Sequence, residues 1–147
     1  MLASVLPDTR HLLDRLVEAM ASNSPQAVAE LYTDDCRIAD PLMETVGKAG
    51  FIRAVSSFLD AFRIESIDVN EVIEQPPHLA VRWSWSVIHQ GDYLGVPATG
   101  QRFDTWNVMF LEVRDGLICR DTSVWDAGEL RRLEAQADRQ AHAPSSD

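Results

Sequence analysis

The sequence predicts an α+β domain, and three observations carry that prediction. Apolar residues recur at helical spacing through the first third of the chain, and strand-like alternation runs from Arg63 to Asp126. The turn signals Pro76-Pro77 and Arg114-Asp115-Gly116 each join two alternating runs, as antiparallel hairpins require. The stretch from His89 to Asp126 reads as a long hairpin closing one end of a pocket, with the upstream elements as its wall.

The elements follow in order. Asp8 is placed to cap a first helix whose stripe is Leu12, Leu13, Leu16, Val17 and Met20. Ser24 followed by Pro25 starts a second, shorter helix with Ala27, Val28 and Leu31 inward, ending near Tyr32 and broken by Thr33-Asp34-Asp35. Cys36 to Asp40 is a short strand stopped by Pro41, which biases Asp40 toward an extended conformation. After Gly47 comes a third helix, with Phe51, Ile52, Val55, Phe58, Leu59 and Phe62 as its buried stripe. Strands are expected over Arg63–Glu74, His78–His89, Arg102–Val113 and Leu117–Asp126, then a helix over Gly128–Ala137.

Two of these strands have unusual faces. In the strand ending at His89, Val81, Trp83, Trp85 and Val87 alternate with Arg82, Ser84, Ser86 and Ile88. In the next, Phe103, Thr105, Asn107, Met109, Leu111 and Val113 share one face, and Asp104, Trp106, Val108, Phe110 and Glu112 the other. Both faces of the latter are largely apolar, whereas an antiparallel sheet covered on one side should be polar on the other. A symmetric partner packed sheet against sheet is the simplest cover, giving a homodimer; the last helix covering part of that face is the alternative.

With 147 residues and 46% hydrophobic content, the chain can bury one core, so a single domain is expected over residues 1–136 with a polar, disordered tail over 137–147. The net charge is -10 and the basic residues are scattered, which argues against nucleic acid and anionic membrane surfaces as partners. The first eight residues lack a basic region before an apolar run, and no stretch approaches the ~20 apolar residues of a membrane span. A cytoplasmic location is therefore expected, consistent with Cys36 and Cys119 as two reduced thiols. No metal-ligand cluster, phosphate-binding glycine loop or nucleophile arrangement is present, so the expected chemistry uses no metal and no cofactor.

Several runs together carry a resemblance. They are Leu31-Tyr32-Thr33-Asp34-Asp35-Cys36-Arg37-Ile38-Ala39-Asp40-Pro41, the loop His89-x-Gly-x-x-x-Gly-x-x-x-Thr-Gly, Asp115-Gly116-Leu117-Ile118 and Val124-Trp125-Asp126. In order and spacing, from about Leu12 to Leu133, the chain resembles the SnoaL-like polyketide cyclases of the nuclear transport factor 2 superfamily. The resemblance implies a cone: a curved antiparallel sheet wrapped around N-terminal helices, with a deep pocket, usually dimeric and free of cofactor. Members include cyclases, ketosteroid isomerases, epoxide hydrolases and non-catalytic binders, so fold alone does not fix function.

Residue-by-residue transfer is uneven. Asp40 before Pro41 matches the general base of ketosteroid isomerases, but that family's oxyanion donors fall at Leu16 and Met109, which cannot donate. The acidic residue expected on the long strand of the SnoaL-like cyclases also falls at Met109, or at Asn107 with an offset of two. Asp126 matches the last Asp of the limonene-type epoxide hydrolase triad, whose other members fall at Ser86 and Ser84. The candidate catalytic residues are therefore Asp40, His89 and Asp126. The candidate substrate contacts are Ile38, Phe58, Phe62, Arg82, Ser84, Ser86, Asn107 and Met109, with Ile88 and Leu111 as further apolar lining.

A desolvated carboxylate becomes a better proton acceptor at neutral pH, and Asp40 is the leading base; its alternative role is to order the turn before the proline. Asp126 has an alternative as a helix cap, with Glu129 at capping-box spacing. His89 either shuttles protons or is exposed, Arg82 either pairs an acid or faces solvent, and the tryptophans serve as core or as ligand platforms. The expected function is cofactor-independent acid-base cyclisation or isomerisation of a hydrophobic polyketide- or terpenoid-like molecule in secondary metabolism. The alternatives are a non-catalytic binding or accessory domain and an epoxide-opening hydrolase.

Overall fold

A computed structural model of the chain describes residues 5–144. Helix α1 (Pro7–Ala21) turns Leu12, Leu13, Leu16 and Ala19 inward. Leu6, not Asp8, is its N-cap: Pro7 occupies the first helical position, and Asp8 falls in the first turn, where a negative charge suits the helix dipole. Ser24 caps α2 (Pro25–Ala29) as expected, its hydroxyl accepting the Ala27 amide at 3.2 Å.

Strand β1 (Tyr32–Ala39) starts earlier than the sequence suggests, but Thr33-Asp34-Asp35 still interrupt its pairing. Tyr32 pairs with Ile118 and Arg37 with Arg120, so the residues between them bulge out of the ladder, while Arg37–Ala39 are paired on both sides. β2 (Glu44–Val46) and α3 (Lys48–Ala61) follow, α3 burying Phe51, Val55 and Leu59. β3 (Phe62–Gln75), β4 (His78–His89), β5 (Arg102–Arg114) and β6 (Leu117–Trp125) form the large hairpins. At the β5–β6 turn Asp115 and Gly116 both take positive φ, 53° and 77°, the two-residue geometry that matches strand twist.

The curved six-stranded sheet has the order β2-β1-β6-β5-β4-β3. It is mixed, not wholly antiparallel, because β1 joins β6 in parallel; every other neighbouring pair is antiparallel. One face carries Val81, Trp83 and Val87 of β4 and Leu111 of β5 into a common core with the inward stripes of α1, α2 and α3. Burying each such large side chain contributes roughly 1.5–3 kcal/mol.

A bulge in the β5–β6 hairpin decides what enters that core. The two-residue turn pairs Val113 with Ile118, but the next pairs are Glu112 with Arg120 and Leu111 with Asp121. Cys119 is the extra residue, its thiol donating to the Glu112 carbonyl at 3.4 Å. The slip of one residue turns Asp121, Ser123 and Trp125 to the inner face.

Helix α4 runs Gly128–Ala141, so the tail expected to be disordered from Ala137 is helical for its first five residues; the Gln140 amide donates to the Thr99 carbonyl at 2.8 Å and ties the helix end to the loop after β4. The end of that tail, 145–147, lies outside the described residues.

The loop between β4 and β5 is clamped to the end of α3, where the amides of Gln90 and Gly91 both donate to the Ala61 carbonyl at 2.8 and 3.0 Å. A Cβ at Gly91 would sit 2.5 Å from the Asp60 carbonyl oxygen and 3.2 Å from the Ala61 Cα, both backbone atoms. Gly91→Ala is accordingly expected to destabilise the fold by about 1–3 kcal/mol, measured as a lower denaturant midpoint. An unchanged midpoint would mean that the loop is not held there.

Candidate functional site

The inner sheet face and the helices enclose a cavity of about 200 Å³. Its walls are aromatic: Phe58 stacks on Trp85 at 5.4 Å, and Phe62 meets Tyr93 and Phe103 edge-on at 5.1 and 5.9 Å. Thr45 Oγ1, Trp83 Nε1, Trp85 Nε1 and Asn107 Oδ1 belong to lining residues, and each is buried with no hydrogen-bond partner among the described residues. An unmet buried polar atom costs about 1–3 kcal/mol, so these four are placed to receive a ligand's polar groups.

The acid in the cavity that the sequence reading missed is Asp121. It is 3% exposed, and both its oxygens accept hydroxyls: Tyr32 donates to Oδ2 at 2.7 Å and Ser123 to Oδ1 at 2.9 Å. Burial raises its pKa from the ordinary 3.8 to about 6; the two hydroxyls pull it down and the charge of Asp40 pushes it further up. Tyr32, fully buried beside that carboxylate, is pushed well above its ordinary value and stays protonated. The arrangement is a carboxylate oriented by two donors, close to neutrality, facing an apolar chamber.

Asp40 also lines the cavity. Its Oδ1 accepts the amides of Leu42 (2.7 Å) and Met43 (2.9 Å), so it orders the turn before β2. Oδ2 makes no hydrogen bond among the described residues. Ile38, Phe58, Phe62, Asn107 and Met109 face the same space.

Other expected site residues are elsewhere. Arg82, Ser84 and Ser86 point to the opposite sheet face, because the tryptophan side of β4 is the inner one. There Ser86 donates to Asp104 at 2.6 Å and accepts from Arg102, Ser84 bonds Asn70, and Arg82 lies 5.5 Å over the Trp106 ring. Ile88 shares that outer side by alternation, and Leu111 is buried in the core without lining the cavity.

His89 is neither catalytic in position nor exposed: it is wholly buried, stacks on Phe62 at 5.0 Å, and its Nδ1 meets the Thr99 hydroxyl at 3.0 Å and accepts the Thr99 amide at 3.3 Å. Burial holds its pKa below 6.5, so it stands as a neutral post that pins the loop. Asp126 is exposed and outside the cavity; it accepts the Gly128 amide at 2.8 Å and pairs with Arg132 at 3.0 Å, which together hold it below the usual carboxylate range and secure the start of α4. The N-cap of α4 is Ala127, with no side-chain cap bond, so Asp126 is not the expected cap; it orders the turn one residue before the helix.

The fold is a small α+β cone with a buried, hydroxyl-buttressed carboxylate in an aromatic chamber. The family model for SnoaL-like polyketide cyclases matches residues 10–133, and the chain belongs to that family. No curated protein matches the sequence. Among solved structures, the chain is similar to a SnoaL-like polyketide cyclase from Jannaschia sp. CCS1, with a TM-score of 0.79 at 18% identity, covering 90% of this chain and 97% of that one. It is also similar to AclR, described as a hydroxylase from Streptomyces galilaeus (TM-score 0.75, 22% identity, 89% and 98% covered). A third is a protein with a ketosteroid isomerase-like fold from Catenulispora acidiphila DSM 44928, in complex with trimethylamine (TM-score 0.69, 13% identity, 86% and 95% covered). At these identities the likeness fixes the ketosteroid isomerase-like fold, while family membership supports a cyclase or isomerase type of function. Among the described residues, no helix is long and apolar enough to cross a membrane.

Proposed function

We propose that the protein is a cofactor-independent cyclase or isomerase of hydrophobic polyketide-type molecules in cytoplasmic secondary metabolism, and that Asp121 is its base. The observation that carries this reading is the buried Asp121 with both oxygens oriented by Tyr32 and Ser123. A carboxylate with a pKa of about 6 is largely ionised at pH 7 yet holds a proton readily enough to return it. It takes the α-proton of a ketone or ester, and the C–H electron pair moves onto the carbonyl oxygen. The enolate carbon then closes on a second carbonyl of the folded substrate, or is reprotonated at another position, and Asp121 returns its proton to the product.

The test needs no natural substrate. The protein should speed α-hydrogen exchange of the bicyclic ketone β-tetralone in deuterated buffer, and Asp121→Asn should remove that acceleration. Exchange at the buffer rate with the wild-type chain would leave a binding domain as the better reading.

Charge narrows the ligand. Asp40, Asp121 and Glu129 line the cavity, and no Lys, Arg or His does among the described residues. Setting a carboxylate against such a wall costs several kcal/mol, so methyl β-naphthoate is expected to bind on the order of 100-fold more tightly than the free β-naphthoate. Equal affinities in a calorimetric titration would contradict this.

The outer sheet face supports a dimer. Trp106, Phe110 and Val124 are half exposed there (50%, 53% and 48%), and Arg82 lies across the Trp106 ring at the same patch. A second copy of the chain packed on this face by a twofold axis would cover the patch with itself.

A further inference from the structure

We propose that Trp83 and Asn107 form a subsite that selects a hydroxyl on a flat aromatic ring of the ligand: the indole N–H donates to the hydroxyl oxygen, and the hydroxyl donates to the Asn107 carbonyl. The proposal rests on the small-molecule reading above and names the class of ligand.

The strand register sets the two side by side. Trp83 on β4 pairs with Asn107 on β5, both side chains line the cavity, and they are 2% and 7% exposed. Residues directly opposite in such a pair hold their Cβ atoms about 4.5–5.5 Å apart. Yet neither Trp83 Nε1 nor Asn107 Oδ1 has a hydrogen-bond partner among the described residues, so they do not bond each other. Among those residues, this is the one place where an unmet donor and an unmet acceptor stand opposite each other on paired strands. Trp85 Nε1 has Thr105 opposite, whose hydroxyl takes either role, and Thr45 lies opposite Ile38.

The two roles together define the group that fits. A carbonyl or ether oxygen would accept from Trp83 and leave Asn107 unmet, and an ammonium would donate to Asn107 and leave Trp83 unmet. A hydroxyl does both. Neither atom is reached by water, and the Asn107 amide turns on a broad terminal torsion to admit the entering group.

The neighbours supply the ring. On its other side Asn107 pairs with Trp125, which also lines the cavity, so indoles flank it from strands about 10 Å apart. Their faces and edges suit an aromatic ring. Asp121 is at the other end: it pairs with Leu111, and Asn107 lies four residues from Leu111 on β5, roughly 13 Å along the sheet. A substrate engaged at both ends is elongated, with its hydroxyl on a ring remote from the carbon that Asp121 deprotonates. β-Tetralone is too short to reach both, so hydrogen exchange and hydroxyl recognition are read separately.

Calorimetric titrations of naphthalene, β-methoxynaphthalene and β-naphthol into wild type, Asn107→Leu and Asp121→Asn test the subsite. β-Naphthol is expected to bind wild type on the order of 10–100-fold more tightly than naphthalene, and the methoxy compound, which only accepts, no more tightly than naphthalene. Asn107→Leu, or the smaller Asn107→Val if leucine prevents folding, should cut the β-naphthol preference to within about twofold. A wild type indifferent to the hydroxyl would overturn the proposal, as would a methoxy compound that binds as tightly as β-naphthol. So would a preference that survives in Asn107→Leu, or one that vanishes in Asp121→Asn, since the hydroxyl would then sit on the acid. If only tetralone exchange fails, the proton-transfer reading falls and the hydroxyl subsite stands.

Discussion

Asp121→Asn is expected to lower turnover by about 10²–10⁴-fold while making the fold more stable at pH 8. The loss of rate follows from removing a positioned proton acceptor; the amide keeps the size and an acceptor for Tyr32, so ligand affinity should change little. The gain in stability follows from linkage. The folded pKa of about 6 lies above the ordinary 3.8, so the contribution of Asp121 to stability is fully present below pH 3.8 and is lost as pH rises through about 6. Above that, the ionised, fully buried carboxylate costs the fold up to about 3 kcal/mol relative to its protonated form. The asparagine variant escapes that cost. Its advantage in denaturant unfolding should be greatest near pH 8 and shrink toward pH 4. A variant that keeps full activity, or is less stable than wild type at pH 8, would show Asp121 to be a structural acid.

Phe110→Asp is expected to convert the protein from dimer to monomer, near 16.4 kDa by light scattering. Phe110 is 53% exposed in the outer apolar patch. Covering it contributes roughly 2 kcal/mol per copy, and a carboxylate there must be desolvated when the face is covered. Twofold symmetry counts each loss twice, so dissociation should strengthen on the order of 10³-fold or more. The variant should fold normally, because the side chain lies outside the core. A wild-type chain already monomeric, or a dimer untouched by the substitution, would mean that another surface or none is used.

The sequence made the element order apart from β2, both hairpin turns and the alternation of β4 and β5 legible, because each is a local pattern, but not which side of β4 faces inward. The site was legible only in part. Ile38, Asp40, Phe58, Phe62, Asn107 and Met109 could be placed toward a pocket from periodicity and a proline. Asp121 could not: counting back from the Asp115-Gly116 turn sets it opposite Phe110 on the outer face, and only the bulge at Cys119 brings it inside. Its partner Tyr32 was hidden for a related reason, since the strand that holds it is formed by a parallel pairing with β6, remote in sequence.

Ser84 and Ser86 looked like a polar pocket wall because small polar residues alternating with tryptophans suit either a ligand or solvent. Their cross-strand partners Asn70 and Asp104 decide for the outer face. His89 beside a glycine suggested an exposed strand end. The loop that returns over it, through Thr99 and Gln101, buries it completely.

The most direct measurement is an NMR titration of the side-chain carboxyl carbons with Asp121 assigned by comparison with Asp121→Asn. A midpoint near pH 6 for Asp121, moving upward when Tyr32→Phe removes the hydroxyl that favours its ionised form, is the expected result. A midpoint at or below about 4, indifferent to Tyr32, would mean a solvated carboxylate, and the base of the proposed reaction would have to be sought elsewhere.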